Sequence, residues 1–209
     1  MALFIVFEGG EGCGKSTQTR ALHRRLSKDG FGAILTREPG GTKLGERVRH
    51  HLKQTDETSI SPLAELFMIA TARAQLVSEI IRPELKRGRS VICDRFTPST
   101  LAYQGYGRGL DIDAIRDVND IATDGMSPDL IVLLDMPVEA GLGRKKSKEK
   151  DRFESESLAF HTRVRRGYLD LAKADPERWL VVDGRLPRKA IEEKVWERVS
   201  VLLQRESNG

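Results

Sequence analysis

Five short apolar runs punctuate the chain: LFIVF (3–7), GAILT (32–36), SVICD (90–94), LIVLLD (130–135) and WLVVD (179–183). Aliphatic and β-branched residues follow one another in them with little polar alternation, as in strands buried on both faces. Helix-length segments lie between the runs. Residues 15–29 follow a glycine-rich turn. Ser61-Pro62 reads as an N-cap with proline at the first helical position. The helix it opens can run to Gly88, with Pro83 expected to kink or shorten it. Leu158, Val164, Tyr168 and Leu171 share one face over 155–175, as do Ile191, Val195, Val199 and Leu202 over 187–203. A short helix is expected from Val138. The alternation predicts an α/β fold: a five-stranded, mainly parallel sheet with helices on both faces and right-handed crossovers. Ligands then sit at the carboxyl ends of the strands. Glu8, Arg37, Asp94, Asp135 and Asp183 fall at those ends.

The first strand runs into GGEGCGKS (9–16), which fits G-x-x-x-x-G-K-[ST] between a strand and a helix. Gly9, Gly10, Gly12 and Gly14 let the backbone wrap phosphate oxygens, with Glu11 and Cys13 between them. The loop N–H groups and the helix N-terminus stabilise negative charge. Lys15 should reach the β- and γ-phosphates of ATP, Ser16 should hold Mg²⁺, and Thr17 completes the nucleotide-binding stretch. The motif predicts binding of a nucleoside triphosphate and is silent about the acceptor. No N-K-x-D base-reading motif follows, and a motor or helicase would need more chain. A small kinase acting on a nucleotide or metabolite fits.

At 209 residues, 39% hydrophobic and 32% charged, the chain suits one soluble domain spanning 1–209. No apolar run approaches the roughly 18 residues of a membrane span, and MALFIVFEGG does not read as a signal peptide. Cys13 and Cys93 lie far apart with no histidine at zinc spacing, which suggests reduced residues of a cytoplasmic protein. Charge needs closer reading. The chain carries 35 basic and 31 acidic residues. GRKKSKEKDR (143–152) holds six of the basic and two of the acidic ones, leaving 29 of each elsewhere. A broad nucleic-acid-binding face is therefore not expected.

FEGGEGCGKST (7–17), TREPGGT (36–42), RAQLV (73–77), DRFTPSTLAYQGYGRG (94–109), PDLIVLLDMP (128–137) and DRFE (151–154) together resemble the bacterial thymidylate kinases, a P-loop nucleoside monophosphate kinase family. The resemblance implies the family's three-layer sandwich with a mobile lid at about 143–152. It implies transfer of the γ-phosphoryl of ATP to the 5′-phosphate of dTMP with Mg²⁺, in a homodimer. The acceptor oxygen is already anionic, so the chemistry calls for cations and fixed donors rather than a strong base. By resemblance Asp94 joins Ser16 at the metal, and Arg95 clamps the acceptor phosphate and the transferring group. Glu11 faces the sugar 3′-OH, and Arg73 bonds a thymine carbonyl. Ser99 and Thr100 approach the base edge, Tyr103 packs where a 2′-OH would sit, Gln104 lines the same pocket, and Arg37 and Pro39 close over it. Three alternatives stay open: a kinase for dUMP or a purine monophosphate, a P-loop binder without turnover, and a nucleic-acid-binding protein.

Two positions depart from the pattern. Ile69 stands where the family carries an aromatic ring against thymine, which predicts a weaker hold on the base. The P-loop also lacks an arginine at Gly12 or Cys13, so the basic run must supply the catalytic charge. Arg144 is the first candidate there, followed by Lys145, Lys146 and Lys148, with Arg152 acting or bracing. Besides the basic run, the glycine-rich stretch 104–110 is a candidate mobile segment.

Overall fold

The computed structural model describes residues 2–54, 59–144 and 151–205. Its strands are β1 (Phe4–Glu8), β2 (Ala33–Arg37), β3 (Ser90–Asp94), β4 (Leu130–Asp135) and β5 (Trp179–Asp183). They form one parallel sheet in the order β2-β3-β1-β4-β5. The register sets Phe7 beside Asp94 on one side and Val132 on the other, so β3 ends within a residue of β1 while β4 runs on to Asp135.

Alternation along each strand divides the core in two. Ile5 and Phe7 of β1, Ile92 of β3 and Val132 and Leu134 of β4 point to one face. There they meet Leu22 and Leu26 of α1 (Lys15–Lys28) and Ile191, Val195 and Val199 of α9 (Arg188–Arg205). Phe4 and Val6, Val91 and Cys93, and Ile131 and Leu133 point to the other. That face is covered by Leu76 of α3 (Pro62–Leu76), by Val77 and Ile81 just after it, and by Phe160, Val164 and Tyr168 of α8 (Leu158–Ala174). Ile5, Ile92 and Val132 are fully buried, and each such side chain contributes about 1.5–3 kcal/mol of burial.

Ser61 caps α3 by accepting from Ala64 N at 3.3 Å. The helix widens into a π-helical turn over Val77–Ile81 and resumes as α4 (Arg82–Lys86). Pro83 thus lies in a first turn, where its missing N–H costs little. The remaining helices are α2 (Lys43–Lys53), α5 (Thr97–Thr100), α6 (Ile112–Thr123) and α7 (Val138–Arg144). Thr42 caps α2 through Gly45 N at 2.9 Å.

Three expectations change. The stretch from Gln104 is not a loop: α5 runs into a second π-helical turn, Leu101–Gly107, with Tyr103, Gln104, Gly105 and Gly107 buried. A Cβ at Gly107 would sit 2.6 Å from the Phe160 ring. Glycine there permits close packing against α8. The buried face of α8 starts at Phe160, while Leu158 stays 47% exposed beside the Ser157 cap; on α9 Leu203, not Leu202, is the buried leucine. Finally, the basic run is not all loop. Gly143 and Arg144 complete α7, and Asp151 and Arg152 bond to Leu52 and Lys53 of α2.

Candidate functional site

The P-loop joins β1 to α1. Gly14 caps α1 in the left-handed region, at φ 98°, and its carbonyl accepts from Thr17 N and Gln18 N. Lys15 is buried, and its Nζ donates to the carbonyls of Gly9 at 3.0 Å and Gly10 at 2.9 Å. It also lies 3.6 Å from Cys13 Sγ. A Cβ on Gly12 would meet the Gly141 carbonyl oxygen at 2.0 Å, so α7 lies directly against the loop. Ser16 Oγ donates to Asp94 Oδ2 at 2.7 Å. This pair brings a hydroxyl and a carboxylate together where the P-loop meets β3.

Arg95 follows Asp94 with φ 75°, a left-handed conformation that costs a non-glycine residue about 1–3 kcal/mol. Its guanidinium is held from several sides. Nη1 donates to Ser99 Oγ at 3.2 Å and Tyr168 OH at 3.0 Å; Nη2 donates to Tyr103 OH at 3.0 Å and Glu11 Oε1 at 2.9 Å. Beneath lies Glu8, fully buried, which accepts from Phe96 N, Ser99 Oγ and Tyr168 OH. Burial pushes its carboxyl above the usual carboxylate range, against the pull of Arg95 and these donors. Glu8 thereby fixes the start of α5. Burial likewise raises the phenols of Tyr103 and Tyr168, which stay neutral donors.

A cavity of about 430 Å³ opens in front of these groups. Glu11, Gly12, Gly14, Lys15, Ser16 and Thr17 line one part of it. Arg37, Pro39, Ile69, Arg73, Asp94, Arg95, Ser99, Thr100, Tyr103 and Gln104 line the rest. Gly9, Gly10 and Cys13 are not in its wall: Gly10 and Cys13 lie on the side of Asp135 and His161, and a Cβ on Gly9 would meet the Leu134 carbonyl oxygen at 2.6 Å. The sites expected from TREPGGT, from α3 and from DRFTPSTLAYQG therefore converge on one space with the P-loop.

Partners inside the wall refine what each can do. Arg73 is 1% exposed, and Glu38 Oε2 accepts from its Nε at 2.9 Å and its Nη2 at 2.6 Å, while Asn119 accepts from Nη1. It meets a ligand only with the N–H donors left over. Burial raises the Glu38 carboxyl against the pull of Arg73. The Thr100 hydroxyl is buried with no hydrogen-bond partner among the described residues. Gln104 donates to Glu65 at 2.6 Å. Arg37 pairs with Glu46 at 2.9 Å.

Five wall residues escape the sequence reading of the site: Glu38, Arg49, Lys53, Asp151 and Phe153. Glu38, Asp151 and Phe153 lie inside TREPGGT and DRFE, and that proximity was the available signal. Arg49 and Lys53 sit on α2, where nothing local distinguishes them from solvated helix charges. Arg49 donates to Pro39 O at 3.0 Å, and burial, then Arg37, lowers its pKa.

Other expected positions lie elsewhere. Arg144 ends α7 with Nη1 donating to Gly184 O at 3.0 Å, outside the cavity wall. Lys145, Lys146 and Lys148 lie outside the described residues. Asp135 forms a two-pronged bridge to Arg165 at 2.7 and 2.9 Å. Asp183 pairs with Arg185, whose side chain and backbone N–H bring its carboxyl down to about 2. Among the described residues there is no group of three or more His, Cys, Asp or Glu able to hold a metal ion. Likewise, no described helix is long and apolar enough to cross a membrane.

The family model for thymidylate kinase matches residues 7–195. A thymidylate kinase of Dehalococcoides mccartyi is 51% identical over 203 residues, covering 97% of this chain and 98% of that protein. One from Citrifermentans bemidjiense is 51% identical over 191 residues, covering 88% and 85%. The crystal structure of a thymidylate kinase from Ehrlichia chaffeensis superposes with a TM-score of 0.78 at 34% identity, over 95% of this chain and 98% of that one.

Proposed function

The chain belongs to the thymidylate kinase family, and on that premise we propose how its cavity moves the γ-phosphoryl of ATP to the 5′-phosphate of dTMP, giving dTDP and ADP. The observation that carries the reading is the shared wall. P-loop residues, Asp94 and Arg95 face the same space as Ile69, Arg73, Thr100 and Gln104. Donor phosphates and an acceptor nucleotide can therefore meet in line.

The P-loop N–H groups and Lys15 bind the donor phosphates, with Lys15 exchanging its carbonyl partners for phosphate oxygens. Arg95 meets the acceptor phosphate and then the transferring group, held for both by Glu8 through Ser99 and Tyr168. Glu11 and Tyr103 face the sugar. Arg73, Thr100 and Gln104 read the base edge, and the unpaired Thr100 hydroxyl supports this. Arg37 and Pro39 close the acceptor side, with Arg49 adding a cation. Arg144 supplies charge at the donor side, beside Gly184 and the P-loop, with Lys146 and Lys148 in the lid.

The Ser16–Asp94 pair suits Mg²⁺. Ser16 and Asp94 would hold it through two hard oxygens, the donor chemistry this ion prefers. Held there, it would offset charge on the transferring phosphates. The two cysteines are free, which supports a cytoplasmic setting. A homodimer is supported by Leu63, Phe67, Thr71 and Ala74, an exposed stripe on α3 at helical spacing.

An ADP-release assay over dTMP, dUMP and purine monophosphates tests the acceptor. We expect dTMP to be strongly preferred. A preference for another nucleotide would overturn the substrate, and ATP binding without turnover on any acceptor would overturn the reaction.

A further inference from the structure

The segment DRFE (151–154) overlaps the end of the basic run, yet its first three residues are fastened to the acceptor side of the molecule. Asp151 Oδ1 accepts from Phe153 N and Glu154 N, both at 3.0 Å, which closes a tight turn. Its Oδ2 takes Lys53 Nζ at 2.6 Å. Arg152 Nε donates to Leu52 O at 3.0 Å, and Nη2 pairs with Glu65. Glu65 is fully buried and also accepts from Gln104. It stands one helical turn before Ile69 and two before Arg73. The turn is thus anchored to the carboxylate that underlies the Ile69 end of the cavity.

These anchors place one aromatic ring in the wall. Phe153 is half-buried and lines the cavity, and its ring packs edge-on to Tyr103 at 6.0 Å and 79°. The Arg152 guanidinium lies over the same ring, 4.8 Å from its centroid. We propose that Phe153 is a specificity-determining residue whose ring packs against the base of the acceptor nucleotide. The DRF turn would then hold it in place through Lys53 and Glu65. An apolar ring suits a planar base better than it suits the phosphate or the sugar hydroxyl, which Arg95, Glu11 and Tyr103 already face. The inference rests on the reading of this cavity as the dTMP site.

A pair of probes separates base contact from general support. dTMP carries the base, and 2-deoxyribose 5-phosphate lacks it. Phe153→Ala and Phe153→Leu are compared with the unaltered chain for dTMP KM, for ATP KM and for inhibition by the abasic sugar phosphate. We expect Phe153→Ala to raise dTMP KM by about 5- to 50-fold, with Phe153→Leu between. The inhibition constant of the abasic probe and the ATP KM should stay within about twofold, a split that mere loosening of the fold cannot produce. Equal weakening of both probes, or an unchanged dTMP KM, would overturn the proposal. If the unaltered chain itself neither binds nor phosphorylates dTMP, the reading of the cavity falls, and the inference with it.

Discussion

At the scale of single residues, the site is built from groups whose partners limit their freedom. Arg95 is held by Ser99, Tyr168, Tyr103 and Glu11, so a phosphate meets a guanidinium already aimed. Ile69 is the residue whose chemistry is most open to improvement. It is 8% exposed in the cavity wall and offers no π face. Ile69→Phe adds an offset-stacking contribution of about 0.5–1.5 kcal/mol and should lower dTMP KM by roughly 2- to 12-fold. Steady-state kinetics at saturating ATP read this directly, and an unchanged or raised KM would sink it. On its proposed role at the donor side, Arg144→Ala should lower kcat far more than it changes dTMP KM. A loss carried by KM alone would argue for a binding role. The reach of sequence reading differs between these residues. Arg95 and Lys15 were legible because their motifs fix both spacing and backbone. Arg49 and Lys53 were not, since a cation on an amphipathic helix gains meaning only when a distant segment packs over it.

At the scale of elements, the strands were the legible part. Each apolar run matches its strand to within a residue at either end, because β1, β3 and β4 are buried on both faces and leave no polar interruption, while the edge strands β2 and β5 expose Leu35 and Val181 and are still apolar throughout most of their length. The π-helical turn at Leu101–Gly107 was not legible. Its glycines signal flexibility locally, and only the approach of Phe160 reveals that they serve packing. A second close approach gives a sharper test. Gly141 of α7 has no room for a side chain: a Cβ there would lie 2.3 Å from the Glu11 carbonyl oxygen in the P-loop. Gly141→Ala must therefore push the helix off the loop. We expect ATP KM to rise several-fold, with a loss of stability of about 1–3 kcal/mol, as for other overpacked sites. Thermal unfolding and ATP kinetics together would check it. A variant with unchanged ATP KM would show that the loop adjusts independently of α7.

At the scale of the whole molecule, α3 serves two sides at once. Ile69 and Arg73 line the cavity, with Glu65 buried on the same side of the helix, while Leu63, Phe67, Thr71 and Ala74 face outward. Phe67 is 51% exposed, and an apolar ring left in water at this position is what a second copy would cover. On the proposed homodimer, Phe67→Asp should yield a monomer in analytical ultracentrifugation and raise dTMP KM, since the same helix carries Ile69 and Arg73. A variant that remains dimeric would place the interface elsewhere.

The ion pairs of the cavity also bear on how fast each nucleotide arrives. Arg37, Lys53, Arg73 and Arg95 each face a carboxylate: Glu46, Asp151, Glu38 and Glu11. Seen from several ångströms away, such pairs are dipoles, whose field fades far faster than that of a lone charge. An acceptor nucleotide bound as proposed would therefore be captured at short range, by exchange of partners, with little long-range attraction. The excess positive charge of the chain is concentrated instead in residues 143–152. Association of ATP should then slow steeply with ionic strength while that of dTMP barely changes, two salt responses within one enzyme.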